Sequence, residues 1–265
     1  MNQISADKLL ARGRTADVYA WDNGHVLKLF QPWFELENIQ YEQRIAQAVV
    51  ASGVKAPTVG ELLKVNGRNG LLYERATGLS METMFLRQPW KLFTYARILA
   101  GLHAQMHEKV FDQTIPAQKL RLQNKIDQAQ ALPDPLKTKL LLALDSLPQG
   151  DRVCHGDFHP ANVLLSGREA TVIDWIDATR GNPLADVART SIIALGAAES
   201  AQTSRRLLKL VVKLFHSVYL KQYFALRPGG EKEYRRWLPI VAGGRLSENI
   251  PELERWLVKQ AASVS

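Results

Sequence analysis

The chain has 265 residues, 46% of them hydrophobic and 23% charged, which excludes a disordered or fibrous protein and leaves room for one large domain or two small lobes. Its only cysteine, Cys154, excludes an intrachain disulfide. No apolar run approaches the roughly 20 residues of a membrane span, and MNQISADKLLARGR lacks the apolar core of a secretory leader, so a cytoplasmic protein without a membrane partner is expected.

The formal charge is +8, and it is uneven: Thr190 to Ser265 carries twelve Lys and Arg against six Glu and no Asp. That excess reads either as a solvated basic face or as a field that draws an anionic partner. No nucleic-acid motif accompanies it, and no nucleic acid is expected.

In chain order, the N-terminal part reads as strands. Asp17–Ala20 and His25–Phe30 flank Asp22-Asn23-Gly24, and Asn-Gly between alternating apolar runs signals a hairpin. Lys28 interrupts the apolar run, and Val26 and Phe30 share its face. A helix is expected from about Phe34 to Ala51, ending at Ser52-Gly53. Strands Val59–Val65 and Gly70–Glu74 follow, joined by a turn-rich segment. After Ala76-Thr77-Gly78 the character changes. Leu92, Tyr95, Ala96, Leu99, Leu102, His103 and Met106 recur at helical spacing, and Leu136–Leu144 and Leu207–Tyr223 also read as helices. Val163–Leu165 and Thr171–Ile173 form a short hairpin turning at Ser166-Gly167. The division drawn from this is a β-rich lobe over 1–75 and a larger helical lobe over 76–265.

Between the later helices lies the most informative stretch, His155-Gly-Asp157-Phe-His159-Pro-Ala-Asn162, with Ile173-Asp174-Trp175 downstream. It supplies a carboxylate, an amide oxygen and a second carboxylate, the set that orients an attacking hydroxyl and holds Mg²⁺ on nucleotide phosphates. This motif resembles the aminoglycoside phosphotransferase and choline kinase-like family, and the resemblance covers most of the chain. It implies an α+β, two-lobed protein-kinase-like fold and transfer of the ATP (or GTP) γ-phosphoryl to a hydroxyl of an antibiotic or metabolite.

Residue by residue, the resemblance implies that Asp157 is the catalytic carboxylate and that Asn162 and Asp174 are Mg²⁺ ligands. Lys28 corresponds to the lysine on the α- and β-phosphates, with Glu42 as its orienting partner and Glu35 and Glu37 as fallbacks. Gly13, in Arg12-Gly-Arg-Thr-Ala-Asp-Val-Tyr19, is the one glycine left of the phosphate-covering loop, Ala11 and Ala16 standing in the other glycine positions. Leu72–Arg75 corresponds to the hinge, where the Tyr73 carbonyl and the Arg75 amide would meet adenine. His155 and His159 read as braces of the loop, His103 as a buried core histidine and Asp186 as structural. Asp177 is open between a supporting role and substrate contact. Glu248, Glu252 and Glu254 are candidates for an acceptor pocket. Arg245 has no assigned partner.

Two alternatives stand beside this reading. His155, Asp157 and His159 alternate, and His103 and His107 are four apart, a pattern compatible with a zinc hydrolase; the helix lacks the glutamate of a zincin. A nucleotide-binding pseudokinase without transfer is the other, although every expected catalytic group is present.

Overall fold

The computed structural model describes residues 5–111, 115–200 and 206–264. They divide into two compact units. The first joins the chain up to Ser80 with Val163–Ile176; the second joins Met81–Asn162 with Asp177–Ser265. Against the division at 75/76, the segments 76–80 and 163–176 group with the N-terminal residues.

In the first unit, β1 (Leu9–Arg12), β2 (Ala16–Ala20), β3 (His25–Phe30), β4 (Val59–Val65) and β5 (Arg68–Glu74) form an antiparallel sheet in the order β1-β2-β3-β5-β4. Turn chemistry sets its hairpins. The Asp22 carboxylate accepts the Gly24 amide at 2.8 Å. Val65 pairs with Arg68 across Asn66 and Gly67, whose φ values are 51° and 75°, the left-handed pair that a two-residue hairpin requires. Alternation along β3 buries Leu27 and Leu29 on one face with Val65, Tyr19, Trp21, Leu63 and Leu72. Phe30 turns to the other face, against Ala16, Ile39 and Leu71. Each fully buried side chain of this kind contributes about 1.5–3 kcal/mol. Helix α1 (Leu36–Ala51) buries Ile39, Glu42, Ile45, Ala46 and Val49, one stripe at helical spacing. Glu42 is the charged residue of that stripe. The short β6 (Leu79–Ser80) pairs with β8 (Val163–Ser166), which pairs with β9 (Glu169–Val172).

In the second unit the helices are α2 (Met81–Arg87), α3 (Leu92–Met106), α4 (Gln118–Gln128), α5 (Asp134–Ser146), α6 (Pro183–Ser200), α7 (Arg206–Leu226), α8 (Glu231–Arg245) and α9 (Pro251–Ala261). Strands β7 (Arg152–Cys154) and β10 (Thr179–Gly181) pair antiparallel and bracket the His155 motif and Asp177. Helix α3 packs on α7, α6 on α7 and α8, and α4 on α5 and α8. Trp237, Tyr219, Tyr223, Phe158 and Leu99 are fully buried at the centre. Gly244 lets α4 approach α8 closely, because a Cβ there would press on Leu122 and Lys125. The α+β class holds: a small antiparallel sheet region precedes a helical one. Among the described residues no helix is long and apolar enough to cross a membrane.

Candidate functional site

The first unit assembles a lysine between two carboxylates. Lys28 Nζ lies 2.7 Å from Glu42 Oε1 and 3.1 Å from Asp174 Oδ1. Of the three glutamates considered in the sequence, the structure pairs Lys28 with Glu42. Burial alone would depress the Lys28 ammonium, but the Glu42 and Asp174 carboxylates overturn that and hold its pKa above the ordinary value. The Tyr73 hydroxyl donates to the same Glu42 oxygen at 2.8 Å. Burial, and then the Glu42 charge, push the tyrosine pKa well up, so the phenol stays a donor.

Asp174 follows β9 with φ of 64°, a left-handed conformation that short polar side chains tolerate better than most. Trp175 anchors the turn, its indole N–H donating to the Val172 carbonyl at 3.0 Å. Residues Gly13 to Thr15 link β1 to β2, where Arg12 pairs with Asp17 and the Gly13 amide donates to the Ala16 carbonyl at 2.9 Å. Arg68 fixes the ends of the strands: it donates to the Phe30 carbonyl at 2.7 Å and pairs with Asp17 at 3.1 Å.

One expectation needs correction. The Arg75 amide, assigned to adenine, donates to the Gly24 carbonyl at 2.8 Å. It is engaged at the sheet edge because β5 runs on beside the turn before β3. Tyr73 lies inside β5, paired with Val26 and Val59.

The second unit holds the His155 motif. Asp186 on α6 is fully buried, and its two oxygens accept the His155 amide at 2.6 Å and the Gly156 amide at 2.8 Å. The Nε2 atoms of His103 and His107, one turn apart on α3, lie 3.1 and 3.3 Å from the same carboxylate. Their Nδ1 atoms meet the hydroxyls of Tyr219 and Tyr223 at 2.6 and 2.8 Å. Burial keeps both imidazoles neutral, His107 being pulled down to about 3 with His103 adding to the effect. Burial would raise Asp186, but the hydrogen bonds from His103 and His107 hold it well below the carboxylate range. His103 and His107 thus turn to Asp186 rather than to Asp157 and His159, and both ring nitrogens of each lie within hydrogen-bond reach of a partner. His103, as expected, is a core histidine.

Gly156 has φ of 79°, and a Cβ there would collide with the Asp177 carbonyl, so the loop at this point requires glycine. Asp157 follows. Arg189 on α6 donates to its Oδ1 at 3.1 Å, and His159 Nε2 lies 3.3 Å from its Oδ2. Burial pushes the Asp157 carboxyl up, yet His159 and Arg189 outweigh it and hold the pKa well below the usual range. His155 braces the loop by accepting the Asp157 amide at 3.2 Å. Asn162 donates Nδ2 to the Asp157 carbonyl at 3.0 Å.

Around this loop the structure adds residues that the motif did not reveal. Arg189 bridges Asp157 and Glu248, the latter at 2.7 Å. Arg121 on α4 pairs with Asp177, and Lys125, one turn on, lies 3.6 Å from Glu248. Arg245 closes the group at 3.7 Å from Glu248. Of the three glutamates proposed for a pocket, Glu248 reaches it, while Glu252 and Glu254 are exposed in the first turn of α9. Arg189 had one signal: a charge three residues after Asp186 in the apolar run Ala185–Ile193. Arg121 and Lys125 sit in a polar helix, where nothing in the pattern distinguishes them.

Comparison with known proteins places this geometry. The model of the phosphotransferase enzyme family matches residues 8–221. No curated protein matches the chain. Among solved structures, a thermostable mutant of aminoglycoside phosphotransferase APH(4)-Ia, in ternary complex with AMP-PNP and hygromycin B, superposes with a TM-score of 0.66 at 16% identity, covering 97% of this chain and 94% of that one. Amicoumacin kinase hAmiN, in complex with AMP-PNP, Ca²⁺ and Ami, gives 0.63 at 16% identity, covering 97% and 87%. A choline/ethanolamine kinase family protein from Mesorhizobium loti gives 0.57 at 15% identity, covering 94% and 84%.

Proposed function

The chain belongs to the phosphotransferase enzyme family, and on that premise we propose that it transfers the γ-phosphoryl group of ATP to a hydroxyl of a small molecule. The observation that carries the reading is the Glu42–Lys28–Asp174 ion-pair chain. Kinase chemistry needs a strand lysine oriented by a helix glutamate, together with a carboxylate after a β-hairpin to hold the metal. Complexes of similar proteins with AMP-PNP and an antibiotic support a nucleotide and a small-molecule acceptor.

In this reading Lys28 holds the α- and β-phosphates and Gly13 lets the backbone near them. Asp157 accepts a hydrogen bond from the acceptor hydroxyl and aims its oxygen at the γ-phosphorus. Its depressed pKa suits orientation rather than strong base strength, since the transition state is loose. The acceptor oxygen–phosphorus bond forms as the bond from that phosphorus to the β,γ-bridging oxygen breaks. ADP leaves, and the hydroxyl proton is released.

Asn162 and Asp174 fit Mg²⁺ by chemistry. The Asn162 Nδ2 is engaged by the Asp157 carbonyl, leaving Oδ1 as a hard donor, and Asp174 offers a half-exposed carboxylate. Bound Mg²⁺ supplies charge neutralisation on the β- and γ-phosphates. The lobes expected over 1–75 and 76–265 then serve nucleotide binding and catalysis with acceptor binding, respectively.

The test is acceptor-stimulated ADP release over a panel of hydroxylated antibiotics and metabolites, with the phosphorylated product identified by mass spectrometry. No stimulation by any compound, with nucleotide bound, would favour the pseudokinase alternative.

A further inference from the structure

Four cations gather at the pocket beside the Asp157 loop, and one of them, Arg245, has no carboxylate within hydrogen-bond reach of its Nε. Arg121 pairs with Asp177, Lys125 lies between Asp177 at 4.0 Å and Glu248 at 3.6 Å, and Arg189 lies between Asp157 and Glu248. With Arg245 that makes four cations on three carboxylates. Asp186 also lines the pocket, but its oxygens are engaged by the His155 and Gly156 amides and by His103 and His107.

Arg245 is the cation left over. Its side chain is 10% exposed, and its Nε and Nη1 find no hydrogen-bond acceptor among the described residues. Its ion-pair partner, Glu248 Oε2, lies 3.7 Å from Nε, beyond hydrogen-bond reach. Leaving buried guanidinium N–H groups without an acceptor is destabilising, and such groups are retained where something else completes them. Two shifts agree in sign. Burial, and then Arg189, pull Arg245 down to about 10, and the same two causes lower Lys125.

The space in front of these groups is small, about 50 Å³, with Arg121, Lys125, Asp177, Arg189 and Arg245 in its walls. At roughly 10–15 Å³ for each water-sized occupant, it takes about three to five such units. That is the size of a carboxylate or the head of a phosphate, and the guanidinium fork suits either.

We propose that Arg245 and Lys125 receive an anionic group of the acceptor, so that the acceptor is a hydroxylated small molecule carrying a carboxylate or a phosphate rather than a polyamine. The inference rests on the phosphotransferase reading and narrows its substrate class.

Binding to the full-length protein in the presence of AMP-PNP is measured by titration calorimetry. The probes are gluconate, glucose 6-phosphate and their neutral parent glucose; glycerate and its neutral parent glycerol; and kanamycin as a polycation. At least one acid is expected to bind tenfold or more tightly than its parent, and whether gluconate and glycerate or glucose 6-phosphate respond separates carboxylate from phosphate. Arg245→Gln should abolish the preference, and Arg245→Lys should keep part of it. Lys125→Gln, at a side chain one quarter exposed, should weaken it and serves as the second variant should Arg245→Gln melt early. Equal or tighter binding of the neutral parents or kanamycin, or a preference unchanged in both glutamine variants, overturns the proposal. ADP release with the same compounds is read separately. Acid binding without release leaves the anion site standing and removes the transfer reading; release with neutral or cationic acceptors alone does the reverse.

Discussion

Lys28 on β3 and Glu42 on α1 meet at 2.7 Å, and the hydroxyl of Tyr73 on β5 donates to the same carboxylate oxygen. One buried carboxylate thus ties helix α1 to two strands of the sheet. The side chain of Glu42 is 4% exposed, so it depends on both partners.

Removing one partner of a buried ion pair typically costs about 3–5 kcal/mol, and Lys28 keeps some access to solvent. Lys28→Met should therefore lower the unfolding free energy by about 3 kcal/mol, near the bottom of that range, and Tyr73→Phe by about 1 kcal/mol, both read from urea denaturation. Lys28→Met should also raise the KM for ATP. An unchanged KM with intact folding would remove the lysine from the phosphate site.

Asp157→Asn preserves size and removes the charge that Arg189 and His159 stabilise. Turnover should fall by about 10²–10⁴-fold, with AMP-PNP affinity measured by calorimetry nearly unchanged. Wild-type turnover in this variant would exclude the role given to Asp157.

Asp174 combines the carboxylate proposed to hold the metal with a left-handed backbone. Asp174→Asn should fold like the wild type and lose Mg²⁺-dependent nucleotide binding. Asp174→Ala should lose the same binding and be less stable than Asp174→Gly by about 1 kcal/mol, because alanine resists positive φ and glycine does not. A melting series of the three variants, with nucleotide affinity at high and low Mg²⁺, checks both parts.

The Asp186 network makes stability depend on acid. His107 titrates near 6.5 when unfolded and about 3 when folded, and His216, depressed by burial, near 4. Between those values the unfolded chain binds more protons, so stability rises with pH. Asp186 acts in the same direction: its depressed folded pKa contributes stability above about 3.8 that is lost on further acidification. The melting temperature should be flat above pH 7 and should fall steadily from about pH 6.5 downward. In His107→Gln the fall should be shallower. A wild-type profile flat to pH 4 would mean the histidine is not held neutral.

Much of this was legible in the sequence because local rules agree with the fold. The Asn-Gly turns, the α1 stripe ending at Ser52-Gly53 and the α3 period over Leu92–Met106 all carry their own signals. Helices α2, α4, α6, α8 and α9 were not named from the sequence, and in two of them the physics hides the period. Helix α6 is lined by small residues, Ala185, Ala188, Ser191 and Ala198, buried between neighbours on several sides, so no polar face alternates with an apolar one. Helix α8 contains Pro239, Gly243 and Gly244, which read as breakers; tertiary packing against α4 and α5 overrides them. The motif revealed Asp157, Asn162 and Asp174 because their spacing is fixed by one loop and one hairpin. Arg121, Lys125 and Arg245 come together from α4 and the end of α8, 120 residues apart between Lys125 and Arg245, and only the fold makes them neighbours. The Arg75 amide was misassigned for a related reason: whether a backbone group is free depends on strand register, which side chains at a sheet edge barely encode.

The carboxylate of Asp186 has one further bearing. It grips the His155-Gly156 backbone from the α3 and α6 side, whereas Arg121, Lys125 and Arg245 approach from α4 and α8. The residues that shape the turn and those proposed to receive the acceptor are therefore rooted largely in different helices, and Arg189 on α6 reaches both Asp157 and Glu248. Redesign toward a new acceptor can vary the pocket-facing positions Arg121, Lys125 and Arg245 while Asp186, His103 and His107 keep the turn in place.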